Sequence, residues 1–397
     1  MRPLISRSRF FASLALIAVW CATFAPVVAV ACPFCGPPSM TLTEQLSKAD
    51  AAVLVEWTGG TVPKDENAGT TTFTIVEVAR APSKSVAKGK KIVLDRYRAG
   101  KAGDLALIVG SRTKGELIEW GSPIDVSKAV YRYIIEAPPA EAPANKRLSY
   151  FMQFLEHADA TISADAYTEF ANADYKEIVG LTKELPREKL REWVSSKETS
   201  ATRLGLYGLM LGLCGNSEDA SLMEQRITEN VDDFRIGIDG VIGGYLLLTG
   251  ESGLAVIEKS KLLDKKAPFS ETFAAMQALR FLWTYGGGRI PPERLKSSMR
   301  LLLDRPELAD LVISDLARWK DWSQQEKVMQ MYGTEDFNVP GIKRAIIRYM
   351  IASTKDTPGG GAAEPPEHVV SGTKYLKQLR DKDAKMVNEA ERFFFLN

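Results

Sequence analysis

The chain has 397 residues, which is long enough for two domains, and its apolar fraction of 45% and charged fraction of 25% are ordinary for a globular protein. The formal net charge is +1, so composition gives no reason to expect a nucleic-acid partner. Only four cysteines and two histidines are present. We find no nucleophile–base pair or metal-ligand set, and we predict no cofactor and no metal.

Residues 1–31 have the features of a signal peptide. Three arginines lie in the first nine residues, residues 10–30 are apolar, and Ala29-Val30-Ala31 forms a small-x-small cleavage site. We predict an exported protein of the periplasm or cell envelope, with an uncleaved anchor as the alternative. Cleavage leaves Cys32 first, which resembles a bacterial lipoprotein signal and makes lipidation at Cys32 a second alternative. Membrane contact is expected only through the signal peptide or such a lipid anchor.

Cys32-Pro33-Phe34-Cys35 is the sharpest local motif. It resembles a glutaredoxin active site, in which the first cysteine is a low-pKa thiolate and the second resolves the mixed disulfide. Such a site follows a strand, whereas no folded sequence precedes Cys32. We predict a structural disulfide between Cys32 and Cys35, as is usual in exported proteins. The alternative, catalysis by Cys32 and Cys35, requires an exposed Cys32 beside a helix N-terminus. Cys214 is predicted to be a buried free thiol.

A short helix and five strands are predicted next. Residues 41–48 read as the helix, with a threonine cap. The strand-like runs, separated by glycine-containing turns, are residues 51–57, 70–79, 90–97, 104–110 and 116–120. Five strands in about 70 residues fit a small β-barrel.

Three segments of this region carry a family resemblance. After the exported Cys-x-x-Cys come Lys48-Ala49-Asp50, Ala-Val-Leu-Val at 52–55, and Thr-Phe-Thr-Ile-Val-Glu-Val at 72–78. Together they resemble the netrin-like OB barrel of tissue inhibitors of metalloproteinases, and the likeness covers residues 32–136. It implies a protease inhibitor whose N-terminal Cys-x-Cys lies against the protease metal, although the spacing here is Cys-x-x-Cys.

The predicted barrel carries a basic band. Its members are Arg80, Lys84, Lys88, Lys90, Lys91, Arg96, Arg98 and Lys101. Lysines at a sheet edge discourage pairing with other chains, so we predict a solvated edge. Aromatic residues near the band leave a polyanion-binding face as the alternative, since OB folds bind such ligands. A surface polyanion is therefore an alternative partner, and no nucleic acid is expected.

Residues 137–145 (Ala-Pro-Pro-Ala-Glu-Ala-Pro-Ala-Asn) predict a linker between domains. Helices fill residues 146–352, and Gly215, Gly250 and Gly286 end three apolar helices about 35 residues apart. This interval is typical of helical solenoids, and the region resembles HEAT-like repeats. A non-repeating helix bundle is the alternative.

Close packing and a buried charge are predicted within this helical region. Four glycines between Gly205 and Gly215 lie on one helix face and predict another helix crossing at short range. Asp239 lies inside an apolar helix, where an unpaired carboxylate is costly. We predict a structural ion pair with Arg235, Arg203 or Arg280.

The C-terminal part offers one candidate binding motif. Arg318, Trp319, Lys320 and Trp322 combine two tryptophans with two cations and could form a partner-binding hot spot, with a helix junction as the alternative. Residues 353–372 predict a flexible linker, and residues 373–397 predict an amphipathic helix with an apolar end.

The predicted fold class is α+β and multidomain: a small five-stranded OB-like β-barrel followed by a HEAT-like α-helical solenoid. This layout resembles exported bacterial proteins of uncharacterised activity, so the resemblance implies no reaction. We predict an exported, non-enzymatic binding or scaffold protein whose helical surface binds another envelope protein. The alternatives are a thiol–disulfide oxidoreductase and a netrin-like protease inhibitor.

Overall fold

The computed structural model combines one open antiparallel sheet with sixteen α-helices in the part of the chain that it describes. The described ranges are residues 32–62, 69–113, 117–229, 234–357 and 364–392. The predicted signal peptide, residues 1–31, lies outside them. None of the described helices is long and apolar enough to cross a bilayer.

The sheet follows the predicted strands closely. Its members are β1 (Ala51–Thr61), β2 (Thr70–Arg80), β3 (Lys91–Leu94), β4 (Leu105–Arg112), β5 (Ile118–Trp120) and β6 (Ile124–Asp125). The strand order is β3-β2-β1-β4-β5, with β6 paired to β4. All five predicted strands are confirmed, and the two-residue β6 is an addition that the sequence pattern did not indicate.

Side chains of the central strand β1 alternate between two cores. Val53 and Val55 point into a small core enclosed by the sheet, and Leu54 points to the other face and joins the main core with Leu107. Successive strand residues face opposite sides, so a strand covered on both faces is apolar throughout. All of these side chains are fully buried.

The described strands do not close into a barrel, because β3 and β5 remain the two edges of the sheet. Side chains bridge the gap instead. Beyond β3, Arg96 donates to the carbonyl of Gly121 over 2.7 Å and Arg98 donates to the carbonyl of Pro123 over 2.6 Å. Arg98 also binds Asp125 at 2.5 Å. The sheet is thus curled, with its edges tied by arginines rather than by a strand ladder.

One helix precedes the sheet along the chain, and five helices that begin the helical region follow it. They are α1 (Leu42–Lys48), α2 (Lys128–Glu136), α3 (Ala144–Met152), α4 (Ala160–Asn172), α5 (Tyr175–Gly180) and α6 (Arg187–Ser195). The side chain of Thr41 caps α1, as predicted. Across the predicted linker 137–145, the hydroxyl of Tyr150 donates to the carbonyl of Tyr133 over 2.7 Å. Residues on both sides of that segment share one core.

Ten further helices complete the described chain. They are α7 (Ala201–Cys214), α8 (Ser217–Thr228), α9 (Ile238–Thr249), α10 (Glu251–Ile257), α11 (Phe269–Tyr285), α12 (Pro292–Arg300), α13 (Ala309–Arg318), α14 (Gln325–Met331), α15 (Pro340–Lys355) and α16 (Glu367–Arg392). Helices α7, α9 and α11 pack side by side, and α13 packs on α15. The even-numbered helices α8 to α14 connect these helices and pack against them.

Helices α7 and α9 cross at backbone contact, which confirms the close approach predicted from the glycines. A Cβ atom added at Gly212 would lie 2.2 Å from Gly244 Cα, and one added at Gly208 would lie 2.6 Å from Val241 Cα. No side chain fits at such distances. Glycine therefore costs helix propensity here but makes the crossing geometrically feasible. On the same helix Cys214 is a free thiol, only part-buried, and desolvation raises its pKa to about 11.

The C-terminal segments differ from the predicted boundaries. Helix α15 continues to Lys355 and α16 begins at Glu367, so both ends of the predicted linker 353–372 are helical. The predicted C-terminal helix is present, but it starts earlier and contains a non-helical residue, Asp383, with φ −152° and ψ 68°. Its apolar end, residues 393–397, lies outside the described residues.

Candidate functional site

The N-terminal cysteine loop is docked on α4. Cys32 and Cys35 form a disulfide, in which Cys32 is only 6% exposed and Cys35 is half-buried. The backbone nitrogen of Cys32 donates to the carbonyl of Ala171 over 3.3 Å. The N–H of Gly36 donates to the hydroxyl of Tyr167 over 3.0 Å. Both ends of the loop are therefore held by the same helix.

Phe34, at the tip of this loop, fills a space that glycines leave open. A Cβ atom at Gly205 would lie 2.6 Å from the Phe34 carbonyl oxygen, and one at Gly243 would lie 2.6 Å from the Phe34 ring. The ring also contacts Phe281, with 4.7 Å between centroids. The loop thus joins α7, α9 and α11. The sequence indicated the glycine crossing, but it gave no signal that a distant loop shares the same space.

The geometry around Cys32 does not match the one that thiol catalysis requires. Cys32 is the more buried cysteine, and it lies at the C-terminal end of α4, where backbone carbonyls disfavour a thiolate. Its sulfur is bonded to Cys35. Its backbone nitrogen points to Ala171, whereas a netrin-like inhibitor would present that nitrogen to a protease metal.

The ion pair predicted for Asp239 is wrong. The three arginines proposed as its partners bind other carboxylates: Arg235 binds Glu271, Arg203 binds Glu156, and Arg280 binds Asp315. The N–H of Gly240 donates to the Asp239 carboxylate over 2.9 Å, and backbone N–H groups are the only donors to this carboxylate among the described residues. Burial raises the pKa of Asp239. Asp239 is the second residue of α9. The partial positive charge of the helix N-terminus therefore stabilises the carboxylate, in the role that we predicted for an arginine.

Two buried carboxylates on α4 were missed by the sequence analysis. Asp165 accepts hydrogen bonds from the N–H of Leu42 over 2.7 Å and from the hydroxyl of Tyr133 over 3.0 Å. Glu169, one turn later, binds Arg147 at 2.5 Å. Burial raises the pKa of Asp165 to about 6. The sequence signal for this pair is two acids at i and i+4 among apolar residues. In the structure the two carboxylates connect α1, α2 and α3 to α4.

The predicted hot-spot residues are divided between interior and surface. Trp319 is 3% exposed and stacks on Trp283 with 4.4 Å between centroids, so it is not accessible to a partner in this structure. Trp322 is half-buried, and the side chains of Arg318 and Lys320 are largely exposed. The four residues therefore do not form one surface patch.

The basic band on the sheet is likewise divided. Arg80 donates to the carbonyls of Ser47 and Ala49, over 2.7 and 2.9 Å, and the other two arginines tie the sheet edges. The remaining cations are exposed: Lys84, Lys88, Lys90, Lys91 and Lys101. Among the described residues no three His, Cys, Asp or Glu side chains converge as metal ligands.

Four exposed apolar side chains lie at the connections that lead into α9 and α11, close in sequence to one buried ion triad, and are called the apolar cluster. Its members are Phe234, Ile236, Leu263 and Phe269, of which Phe234 is 69% and Phe269 51% exposed. Each is within two residues of a buried ion triad. In that triad Arg235 binds Glu271 at 2.5 Å, and Lys261 binds Glu271 at 2.6 Å. Burial opposes ionisation of Glu271, but its two cations outweigh burial and hold its pKa below the usual range.

Comparison with known proteins identifies no relative. No protein-family model, no curated protein and no solved structure matches this chain. The disulfide loop, the buried carboxylates and the apolar cluster are therefore interpreted from their own geometry.

Proposed function

We propose that this chain is an exported, non-enzymatic binding or scaffold protein of the cell envelope. The helices of residues 146–352, α3 to α15, would form a HEAT-like array, and the apolar cluster of Phe234, Ile236, Leu263 and Phe269 would be the surface that binds another protein. The curled sheet, with edges tied by arginines, would be an open variant of an OB-like domain.

Charged contacts at a recurring interval support the repeat proposal. Cations bind acids 32 to 36 residues later in four places: Arg187–Asp219, Arg235–Glu271, Arg280–Asp315 and Lys320–Asp356. Asp219 and Asp315 are fully buried. An interval close to the glycine spacing is expected when each helix pair binds the next one in an equivalent way.

The exposed apolar cluster carries the functional proposal. Burying an exposed Phe or Leu side chain stabilises a complex by about 1.5–3 kcal/mol, and aromatic anchors dominate protein interfaces. The underlying triad already fixes the local backbone, so the fold does not require these four side chains to be buried. Their continued exposure is the pattern expected of a surface kept for a partner.

Site-specific photocrosslinking in the native envelope tests the proposal. Replacing Phe269 with p-benzoylphenylalanine should give one discrete protein adduct, because this position lies in the cluster. The matched control is the same replacement at Val93, an exposed apolar residue on the sheet. The same set of crosslinked proteins at both positions, or no crosslinked protein at Phe269, would refute the proposal that the apolar cluster is a binding surface.

Export and the state of Cys32 are tested separately by intact-mass measurement of the natively exported protein. We expect a mature chain beginning at Cys32 that gains two hydrogens on reduction. A mass carrying acyl chains would instead establish a lipid-anchored form and exclude the Cys32–Cys35 disulfide in it, because the thioether occupies the sulfur.

A further inference from the structure

A cavity of about 400 Å³ lies where the start of α16 meets the start of α14. Its walls include the rings of Trp322, His368 and Tyr375 and the polar side chains of Gln325, Glu326 and Glu367. The volume suits a small organic group. It lies outside the apolar cluster and the disulfide loop, so it requires its own explanation.

Gln325 gives the cavity a hydrogen-bond acceptor of fixed orientation. The side chain is 6% exposed, and its nitrogen donates to the Ser353 hydroxyl over 2.9 Å and to the His368 carbonyl over 2.8 Å. Because the His368 carbonyl can only accept, the orientation of the amide is set.

The other atom of that amide, the Gln325 Oε1, accepts no hydrogen bond in the part of the chain that is described. Within the same ranges, the only fully enclosed and unpartnered side-chain polar atom is Arg348 Nε. The Gln325 oxygen therefore keeps access to the cavity that Gln325 lines. A ligand N–H that enters the cavity can donate to this acceptor.

Aromatic rings form the walls. The indole N–H of Trp322 donates to Asp356 over 2.7 Å, which fixes the orientation of the ring. The ring of His368 stacks on Trp322 with 6.0 Å between centroids and an interplanar angle of 21°. Tyr375 is the third aromatic side chain of the lining. Faces of Trp and Tyr attract cations.

Two carboxylates at the rim have no cation partner among the described residues. Glu326 and Glu367 are both exposed, and Glu326 accepts a 3.3 Å hydrogen bond from Gln330. The nearby cation, Lys320, is occupied by Asp356 at 2.6 Å. Among the described residues, no cation forms an ion pair with either rim carboxylate.

We propose that this cavity binds a primary ammonium or guanidinium group, presented by a small amine or by a basic side chain. The N–H donors of such a group bind the Gln325 oxygen, its charge is balanced by Glu326 and Glu367, and its alkyl stem or flat face packs on Trp322 and Tyr375. A quaternary ammonium lacks the N–H donor, and an anion is repelled by the rim. This assignment is independent of the protein-binding function proposed above.

Calorimetric titration of the full exported chain tests the proposal with defined probes. We expect n-butylammonium and methylguanidinium to bind, tetramethylammonium to bind at least tenfold more weakly, and butyrate not to bind. A blocked lysine amide, titrated in parallel, distinguishes a side-chain ligand from a free amine. Failure of butylammonium, methylguanidinium and the blocked lysine amide all to bind would overturn the assignment.

Variants then place the binding in this cavity. The double change Glu326→Gln/Glu367→Gln should weaken butylammonium binding at least tenfold. The matched control, Glu335→Gln/Glu389→Gln, removes two exposed carboxylates elsewhere and should leave affinity unchanged. Tyr375→Leu, at a half-buried position, keeps the pinned Gln325 intact and should weaken binding severalfold. Equal affinity of both double variants would place the cation elsewhere and refute the proposal.

Discussion

The crossing of α7 with α9 and the crossing of α11 with α13 pack neighbouring helices in two different ways. In the first, backbones touch across glycines, as Gly212 and Gly244 show. In the second, side chains fill the space: Trp283 stacks on Trp319, and Arg280 binds the fully buried Asp315 at 2.6 Å. The first crossing therefore should not tolerate an added atom, whereas the second should not tolerate the loss of a partner.

The largest effect is expected from adding one methyl group to the glycine crossing. Gly212→Ala places a Cβ atom against three backbone atoms of Gly244, which cannot move without displacing α9. We expect a loss of about 3 kcal/mol or more in the free energy of unfolding, measured with urea. The control is Gly180→Ala, where no atom lies within 4 Å. A gain of about 0.5–1 kcal/mol is expected there, and equal losses at both positions would contradict close packing.

Asp165 is a buried carboxylate without a cation partner among the described residues, so it should make the stability of the fold depend on pH. Burial raises the pKa of Asp165 to about 6, so the folded chain holds this proton more tightly than the unfolded chain. Its contribution is therefore greatest at low pH and is lost as pH rises from about 4 to 7, by about 3 kcal/mol. Asp165→Asn should remove this component in urea unfolding, while the exposed control Asp95→Asn should not. Identical pH profiles for the wild type and Asp165→Asn would contradict the assignment.

Loss of a partner at the second crossing should cost slightly less. Asp315→Ala leaves Arg280 without its buried acceptor, but the Arg280 side chain is 27% exposed and can be partly rehydrated. We expect a loss of about 2–3 kcal/mol in the free energy of unfolding. The double variant Arg280→Met/Asp315→Ala should recover part of this loss, because no unpaired charge remains. Strictly additive losses would mean that the two residues do not interact.

The smallest of these effects is expected at the disulfide loop, which packs on the glycines of the α7–α9 crossing. Cys32→Ser/Cys35→Ser opens a short ring, so we expect the free energy of unfolding to fall by about 2 kcal/mol. In a Phe34→Ala background the same change should lower the free energy of unfolding by much less, because the loop no longer fills the space beside Gly205 and Gly243. Cys214→Ser is the control for general effects of thiol removal. Equal costs in both backgrounds would show that the disulfide acts independently of Phe34.

Local features of this fold were predictable and long-range ones were not. Strand-like runs between turn glycines located β1 to β5, and glycine spacing on α7 predicted a close helix crossing without identifying its partner, since these patterns are properties of neighbouring residues. The partner of Asp239 was wrongly assigned, because three arginines were available and the helix N-terminus was not considered. The open sheet edge, the burial of Trp319 and the pinned Gln325 each depend on contacts with residues far along the chain.

The most direct test of the central claim separates binding from folding at the apolar cluster. The variant Phe234→Ser/Phe269→Ser is compared with the wild type in urea unfolding and in photocrosslinking from position 263. We expect the free energy of unfolding to change by less than about 0.5 kcal/mol, as for exposed positions, while the adduct disappears. A loss of stability above about 2 kcal/mol with the adduct retained would show that these side chains support the fold and do not bind a partner.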